Sequence, residues 1–290
     1  MNLRILNYFL TVAQEQNITK AAEILHITQP TLSRQLTQLE DELGVKLFDR
    51  SSHKLQLTNS GRFLLQRGQE IAQLIDKTEE ELTEQELNLS GTIYCASGEL
   101  YSMHIFSRLL AEFQENYPLV QFDFFSGTSD VIKDRMSKGL VDVAILVEPI
   151  DTTDYNFIRL PNFETWCVLM NADSPLADKE YITVEDLYGK SIIMPGRNQI
   201  RSEIYNWLGK GVKRMKIIGH STLNANTAVL LTGRDAYGIV LNPRTYDKNT
   251  LRTVPLMPPL SSNAVLVWSR QRTNSLVLQK FVDFIKEQLQ

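Results

Sequence analysis

The sequence predicts a multidomain α+β chain: a helical head with a small β-ribbon, one long helix, and a C-terminal α/β domain of two lobes. Three observations predict it. The 290 residues exceed one typical domain. From Thr58 to Leu89 there is no proline, and the only glycines are Gly61 and Gly68, which suits one long helix between the ends. Beyond Gly91 the hydrophobic period changes to short apolar runs alternating with amphipathic ones, the mark of strands and covering helices. The predicted domains are 1–58, 59–89 and 90–290. The last divides into lobe I, about 91–161 and 266–290, and lobe II, about 162–265.

The composition, 43% hydrophobic and 22% charged, places the chain with ordinary globular proteins rather than disordered or fibrous ones. The first residues, "MNLRILNYFLTVAQEQ", are amphipathic but lack the basic segment, apolar core and small-residue cleavage site of a signal peptide. No apolar run is long enough for a bilayer, so a cytoplasmic protein without a membrane partner is expected. Cys95 and Cys167 lie in "TIYCAS" and "ETWCVLM", apolar strand-like runs without the flanking Lys, Arg or His that would activate a thiol. The formal charge of −4 gives no electrostatic drive toward nucleic acid, and within 1–61 the acidic and basic residues balance. A nucleic-acid role must rest on placement of groups.

Residues 19–40, "TKAAEILHITQPTLSRQLTQLE", supply such placement. A helix is expected from about Thr19 to Leu25, with Ala21 and Ala22 allowing close approach and Ile24 and Leu25 packing inward. Thr28 can cap the next helix, and Pro30 in its first turn costs no intrahelical bond. Leu32, Leu36, Leu39 and Leu43 form its buried stripe, leaving Gln29, Thr31, Ser33, Arg34 and Gln35 to donate or accept hydrogen bonds. Two helices joined by so short a turn, the second polar at its start, are the pattern of a helix-turn-helix; a plain helical hairpin is the alternative. "ELGVKLFDRSSHKLQLTNSG" follows, with Gly44 as a stop and "KLQL" as a short strand. It reads as a β-wing carrying Arg50, His53 and Lys54 near its tip, in reach of phosphates.

The run "FLTVAQEQNITKAAEILHITQPTLSRQLTQLEDELGVKLFDRSSHKLQLTNSG" resembles the winged helix-turn-helix of LysR-type transcriptional regulators, in its "AAEILHITQPTLSRQLTQLE" core and its "LGVKLFDR" exit. The close resemblance covers roughly the first 60 residues. It implies that Gln29, Pro30, Ser33 and Arg34 enter the major groove of double-stranded promoter DNA and that Arg50 and the wing meet the backbone. The candidate DNA-contacting set is Thr19, Gln29, Pro30, Thr31, Ser33, Arg34, Arg50, His53 and Lys54. Many members carry a further Arg or Lys where this chain has Thr37, Gln38 and His53. That favours several weak contacts made by an oligomer.

In the long helix, Leu64, Ile71, Ile75, Leu82 and Leu89 recur at steps averaging 3.5 residues, with Gly68, Thr78 and Gln85 at the remaining seam positions. A dimer-forming seam is expected, with Gly68 as its point of close approach; a single solvated helix is the alternative. A homodimer, or a homotetramer made of two, would present two heads to a partly palindromic operator.

In the second half, "TIYCAS", "LVQFDFFSG" and "VDVAILV" are expected strands alternating with helices "HIFSRLLAEFQENYP" and "SDVIKDRMSKG". "ETWCVLM", "SIIMPG", "RSEIYNWLG", "MKIIGH", "TLNANTAVLLTG" and "YGIVLNP" form a second such set, and "AVLVWSR" and "SLVLQKFVDFIKEQLQ" a final strand and helix. Ligands of open parallel sheets sit beyond the carboxyl ends of the strands, beside helix N-termini. The loops there contain Ser97, Gly98, Glu99, Gly127, Thr128, Ser129, Val147, Gly196, Arg197 and Thr222. The layout matches the LysR effector domain, which resembles periplasmic binding proteins. The resemblance implies a small-molecule effector, a small carboxylate or other anion, and RNA polymerase as a further partner. Glu99 and Glu148 depart from a simple anion site. They are either solvated surface groups or cleft walls, and as walls they would demand a cationic or hydroxyl-rich part in the ligand, with Arg197 or Arg201 balancing a carboxylate.

No enzyme is expected. His26, His53, His104 and His220 are scattered, no Cys or carboxylate pair completes a metal motif, and there is neither a G-x-S-x-G elbow nor a phosphate-cradling glycine loop followed by Lys. No metal or other cofactor is implied. The competing function is a solute-binding or metabolite-sensing protein whose head binds protein instead of DNA.

Overall fold

The computed structural model describes residues 1–49, 55–83, 89–242, 247, 249–272 and 274–289. It divides into two compact units, 1–83 and 84–290. The wing-tip residues Arg50, His53 and Lys54, and the seam position Gln85, lie outside the described residues.

The head begins with α1 (Leu3–Glu15) and α2 (Ile18–Ile24). Asn2 Oδ1 accepts the Ile5 N–H, and Asn17 Oδ1 accepts those of Thr19 and Lys20, so asparagines satisfy first-turn donors that have no helical partner. Helix α3 (Gln29–Leu43) starts differently. Thr28 holds the N-cap position, but its hydroxyl lies 2.8 Å from that of Thr31 and makes no capping bond. Pro30 has no N–H to offer, which removes one of the two usual donors. Gly44, at φ 68°, ends the helix.

Leu32, Leu36 and Leu39 are buried with Ala21, Ala22 and Phe9, as their spacing predicts. Leu43 is not: it is 41% exposed. After Gly44 the chain folds back, the Val45 N–H bonding the Glu40 carbonyl, so the stripe ends on Glu40 rather than on Leu43. Ile24 is likewise 50% exposed, since its helix stops there and only Leu25 turns onto the core. The ribbon is an antiparallel pair, β1 (Phe48–Asp49) with β2 (Gln56–Leu57).

Helix α4 (Asn59–Thr83) packs back on the head. A Cβ on Gly61 would stand 2.1 Å from the Leu47 carbonyl oxygen, so the first turn touches the chain entering β1 at a distance only glycine permits. A Cβ on Gly68 would meet Leu6 Cδ1 at 2.9 Å and Leu10 Cδ2 at 3.0 Å. The close approach expected with a second chain is therefore made to α1 of the same chain. Leu89 also leaves the predicted seam, being buried in the core of the second unit. Among the described side chains, the large apolar groups that α4 exposes are Phe63, Ile71 and Leu74, with the Arg67 guanidinium 5.8 Å from the Phe63 ring centre. Steps of four, four and three residues place these four on one helical face; Ile71 belongs to the predicted seam, and the other three sit one position before it.

The second unit is built on strands in the order β4-β3-β5-β11-β6-β9-β7-β8, with β10 also on β6. These are β3 (Ser90–Ser97), β4 (Leu119–Ser126), β5 (Val143–Val147), β6 (Tyr155–Asn171), β7 (Ser191–Pro195), β8 (Lys216–Ser221), β9 (Tyr237–Leu241), β10 (Leu251–Pro255) and β11 (Ser261–Ser269). Strand β3 runs parallel to β4 and β5, and β7 parallel to β8 and β9, the two expected parallel sets. Antiparallel pairings join them. β6 pairs with β11 over Tyr155–Thr165, then with β9 and β10 over Trp166–Asn171, so one strand serves both lobes. The first half of β6 and all of β10 have weak apolar patterns and were not foreseen. β11 starts at Ser261 and pairs with β5 from Ala264, a little before the predicted return to lobe I.

All five residues of β5 are buried, on alternating faces. Val143, Ile145 and Val147 face α5 (Met103–Asn116) and α9 (Leu276–Leu289), while Ala144 and Leu146 face α6 (Ser129–Lys138). A strand covered on both faces reads as the continuous apolar run "VAILV". Phe113 and Phe281, both fully buried, meet edge to face at 5.0 Å under α5 and α9. In lobe II, α7 (Asn198–Leu208) contributes Ile204 and Leu208 to the larger core, and α8 (Asn224–Leu231) covers the other face with Ala228 and Leu231.

Candidate functional site

On the head, Thr19, Gln29, Pro30 and Arg34 are exposed, while Thr31 and Ser33 are half-buried. Arg34 makes no hydrogen bond or ion pair among the described residues, whereas Lys20 is tied to Glu15 at 2.6 Å. The carboxylate of Glu40 stands behind this face, 2% exposed. Its Oε1 accepts the Leu47 N–H at 2.8 Å and the Phe48 N–H at 3.1 Å, and Lys46 Nζ lies 3.1 Å from Oε2. Burial alone would raise its pKa; the two amides and the ammonium outweigh that and hold it below the usual value. Glu40 thus ties α3 to the ribbon. The stripe reading missed it because a carboxylate four residues after Leu36 looks like a solvated group.

In the second unit, a cavity of about 100 Å³ opens where the two parallel sets face each other. Gly98, Glu99, Gly127, Thr128, Ser129, Val147, Gly196, Arg197 and Thr222 all line it. Ser97 does not reach the wall. It is 3% exposed, and its Oγ has no hydrogen-bond partner among the described residues. The walls that sequence reasoning missed include Ile145, Trp166, Ile239, Leu241 and Asn224. Trp166 belongs to the crossing strand β6, and no loop-end rule points to it.

The cavity is bridged by polar contacts between its two sides. Arg197, at the N-cap of α7 and with its side chain 10% exposed, donates from Nη1 to Ser129 Oγ at 3.2 Å; its Nε lies 3.7 Å from Asp130 Oδ1. On the other side both Glu99 oxygens lie within 3.3 Å of the Ala225 N–H at the start of α8, and Asn224 Nδ2 donates to the Glu99 carbonyl. Glu99 is therefore a cleft wall, not a solvated surface group. Glu148 lies outside this cavity, bonded to Arg159 and Asn263. Burial raises the pKa of Glu203 on α7, and the positive charge of Arg197 opposes part of that rise. Among the described residues no three His, Cys, Asp or Glu side chains gather into a metal site. Among the described residues no helix is long and apolar enough to cross a membrane.

A family model described as the LysR substrate binding domain matches residues 88–290, and one for bacterial regulatory helix-turn-helix proteins of the lysR family matches residues 3–62. The chain belongs to the LysR family. Membership places it among regulators rather than enzymes. This LysR-family chain is 36% identical over 174 residues to the HTH-type transcriptional regulator BsdA of Bacillus subtilis (strain 168), a match spanning 60% of this chain and 59% of that one. Its fold resembles that of CbnR, a LysR family transcriptional regulator, with a TM-score of 0.78 at 19% identity over the whole of both chains. It likewise resembles full-length CbnR in complex with its target DNA, with a TM-score of 0.77 at 18% identity over 99% of each chain. At such identities the likeness is one of fold.

Proposed function

We propose that this LysR-family chain is a cytoplasmic transcriptional regulator that binds duplex promoter DNA as a homo-oligomer and answers to a small-molecule effector held in the cleft of its second unit. The observation that carries the reading is the α3 surface. Gln29, Pro30 and Arg34 are exposed while Leu32, Leu36 and Leu39 are dry, so the helix is anchored and its polar N-terminal half remains available to base edges. Family membership and the fold likeness to CbnR in complex with its target DNA support the same use of the head. The apolar face of α4 at Phe63, Ile71 and Leu74 supports pairing with a second copy. With zero net charge in the head, affinity would come from two or more heads acting together, and RNA polymerase would be the machinery they influence.

The effector changes the DNA-bound state only through different affinities for two arrangements of the oligomer. The test is retention of the full chain on duplex DNA from its own promoter region as salt is raised. Binding that weakens steeply with salt is expected. A chain that ignores DNA even at low salt, yet still binds a metabolite, would instead be a sensor whose head serves protein contacts.

A further inference from the structure

Helices α5, α6, α7 and α8 begin at or near residues that line the cleft, and two of these N-termini are already occupied by the chain's own carboxylates. Ahead of α5, the fully buried Glu164 accepts the Tyr101 N–H at 2.9 Å and the Ser102 N–H at 2.8 Å. At α8, Glu99 takes the Ala225 N–H. A ligand anion competing for either place meets a negative charge. The start of α6 differs in that its own first-turn carboxylate, Asp130, accepts no backbone N–H there among the described residues. Thr128 sits at its N-cap without a capping bond, and Arg197 reaches Ser129 beside it. Asp130 is 74% exposed and 3.7 Å from Arg197 Nε, so water screens much of its pull, while Arg197 is 10% exposed and keeps its charge within the low-dielectric wall. The cavity therefore has a positive pole at Arg197 and the α6 N-terminus and a negative pole at Glu99, with Ile145, Trp166 and Ile239 between them.

Resting on the reading of this cleft as the effector site, we propose that Glu99 determines specificity and that the effector is a small zwitterion, an α-amino acid or close analogue. Its carboxylate lies toward Arg197 and Thr128, and its ammonium toward Glu99. A carboxylate with no amine sets its charge against Glu99 with no cation between them, and an amine with no carboxylate sets its charge against Arg197. The space of about 100 Å³ suits a compact molecule.

The test uses the full chain and calorimetric titration with α-amino acids from glycine to phenylalanine. Each is paired with the carboxylate lacking only the amino group, acetate to 3-phenylpropionate. The expected result is at least one amino acid bound tenfold or more tightly than its partner, a preference erased in Glu99→Gln and retained in Glu99→Asp. Gln can still accept the Ala225 N–H, so that variant removes the charge while leaving the bridge across the cleft. If carboxylates bind as well as their amino acids, or Glu99→Gln keeps the preference, the assignment of Glu99 falls and the effector cleft stands. If no member of either series binds, the cleft reading falls with it.

Discussion

Glu164 Oε1 accepts the Ser102 N–H at 2.8 Å and also the Ser102 hydroxyl, joining the strand shared by both lobes to the loop that leads into α5. The carboxylate is fully buried, so the hydrogen bonds from Tyr101 and Ser102 offset its desolvation. Glu164→Gln sets an amide N–H against at least one of these donors. A loss on the order of 2–4 kcal/mol is expected. All three tryptophans, Trp166, Trp207 and Trp268, lie in this unit, so a urea titration followed by their fluorescence reads the change. An unshifted midpoint would remove Glu164 from the framework.

Glu40 plays the corresponding part in the head. Glu40→Ala leaves the Leu47 and Phe48 amides buried without an acceptor and should cost about 2–4 kcal/mol. Hydrogen exchange at these two amides is the direct readout, and protection unchanged from the wild type would contradict the assignment. The pH dependence has a definite sign. Because the folded-state pKa is below the ordinary 4.5, the contribution is complete above that value and disappears as pH falls through the lowered one.

Arg34→Ala should weaken operator binding by tenfold or more without changing the melting temperature, since the side chain is exposed and has no ion-pair partner among the described residues. Equal loss on all sequences, with a salt slope reduced by about one, would mark a phosphate contact; loss confined to particular bases would mark direct reading. An intact footprint would show that α3 does not read the groove.

Thr128→Val keeps the shape of the α6 N-cap and deletes a hydroxyl that makes no capping bond, so little stability is at stake. The effector response of a promoter reporter should fall while DNA affinity persists. A normal response from this variant would take that loop out of the site.

Cys95 and Cys167 are fully buried and carry no disulfide, and burial pushes the Cys167 thiol far above its usual range. Labelling by a thiol reagent should therefore await denaturant. Prompt labelling of the native protein would reopen a redox role.

Residue spacing alone was enough for those elements whose signal is local. Leu32, Leu36 and Leu39 mark a helix face, Gly44 its end, and "VAILV" a strand covered on both sides. The loop-end rule found nine of the cavity's lining residues because parallel strands carry their ligand loops at one end. Tertiary structure decided what depends on partners distant in sequence. It gave Gly68 to α1 rather than to a second chain, and it made β6 the strand common to two lobes. It also placed Glu99 on the α8 N-terminus, 126 residues away. A side chain's period says which way it points. Whether a carboxylate there is solvated or bound depends on which backbone amide the fold brings within hydrogen-bond reach, and only the assembled chain supplies it.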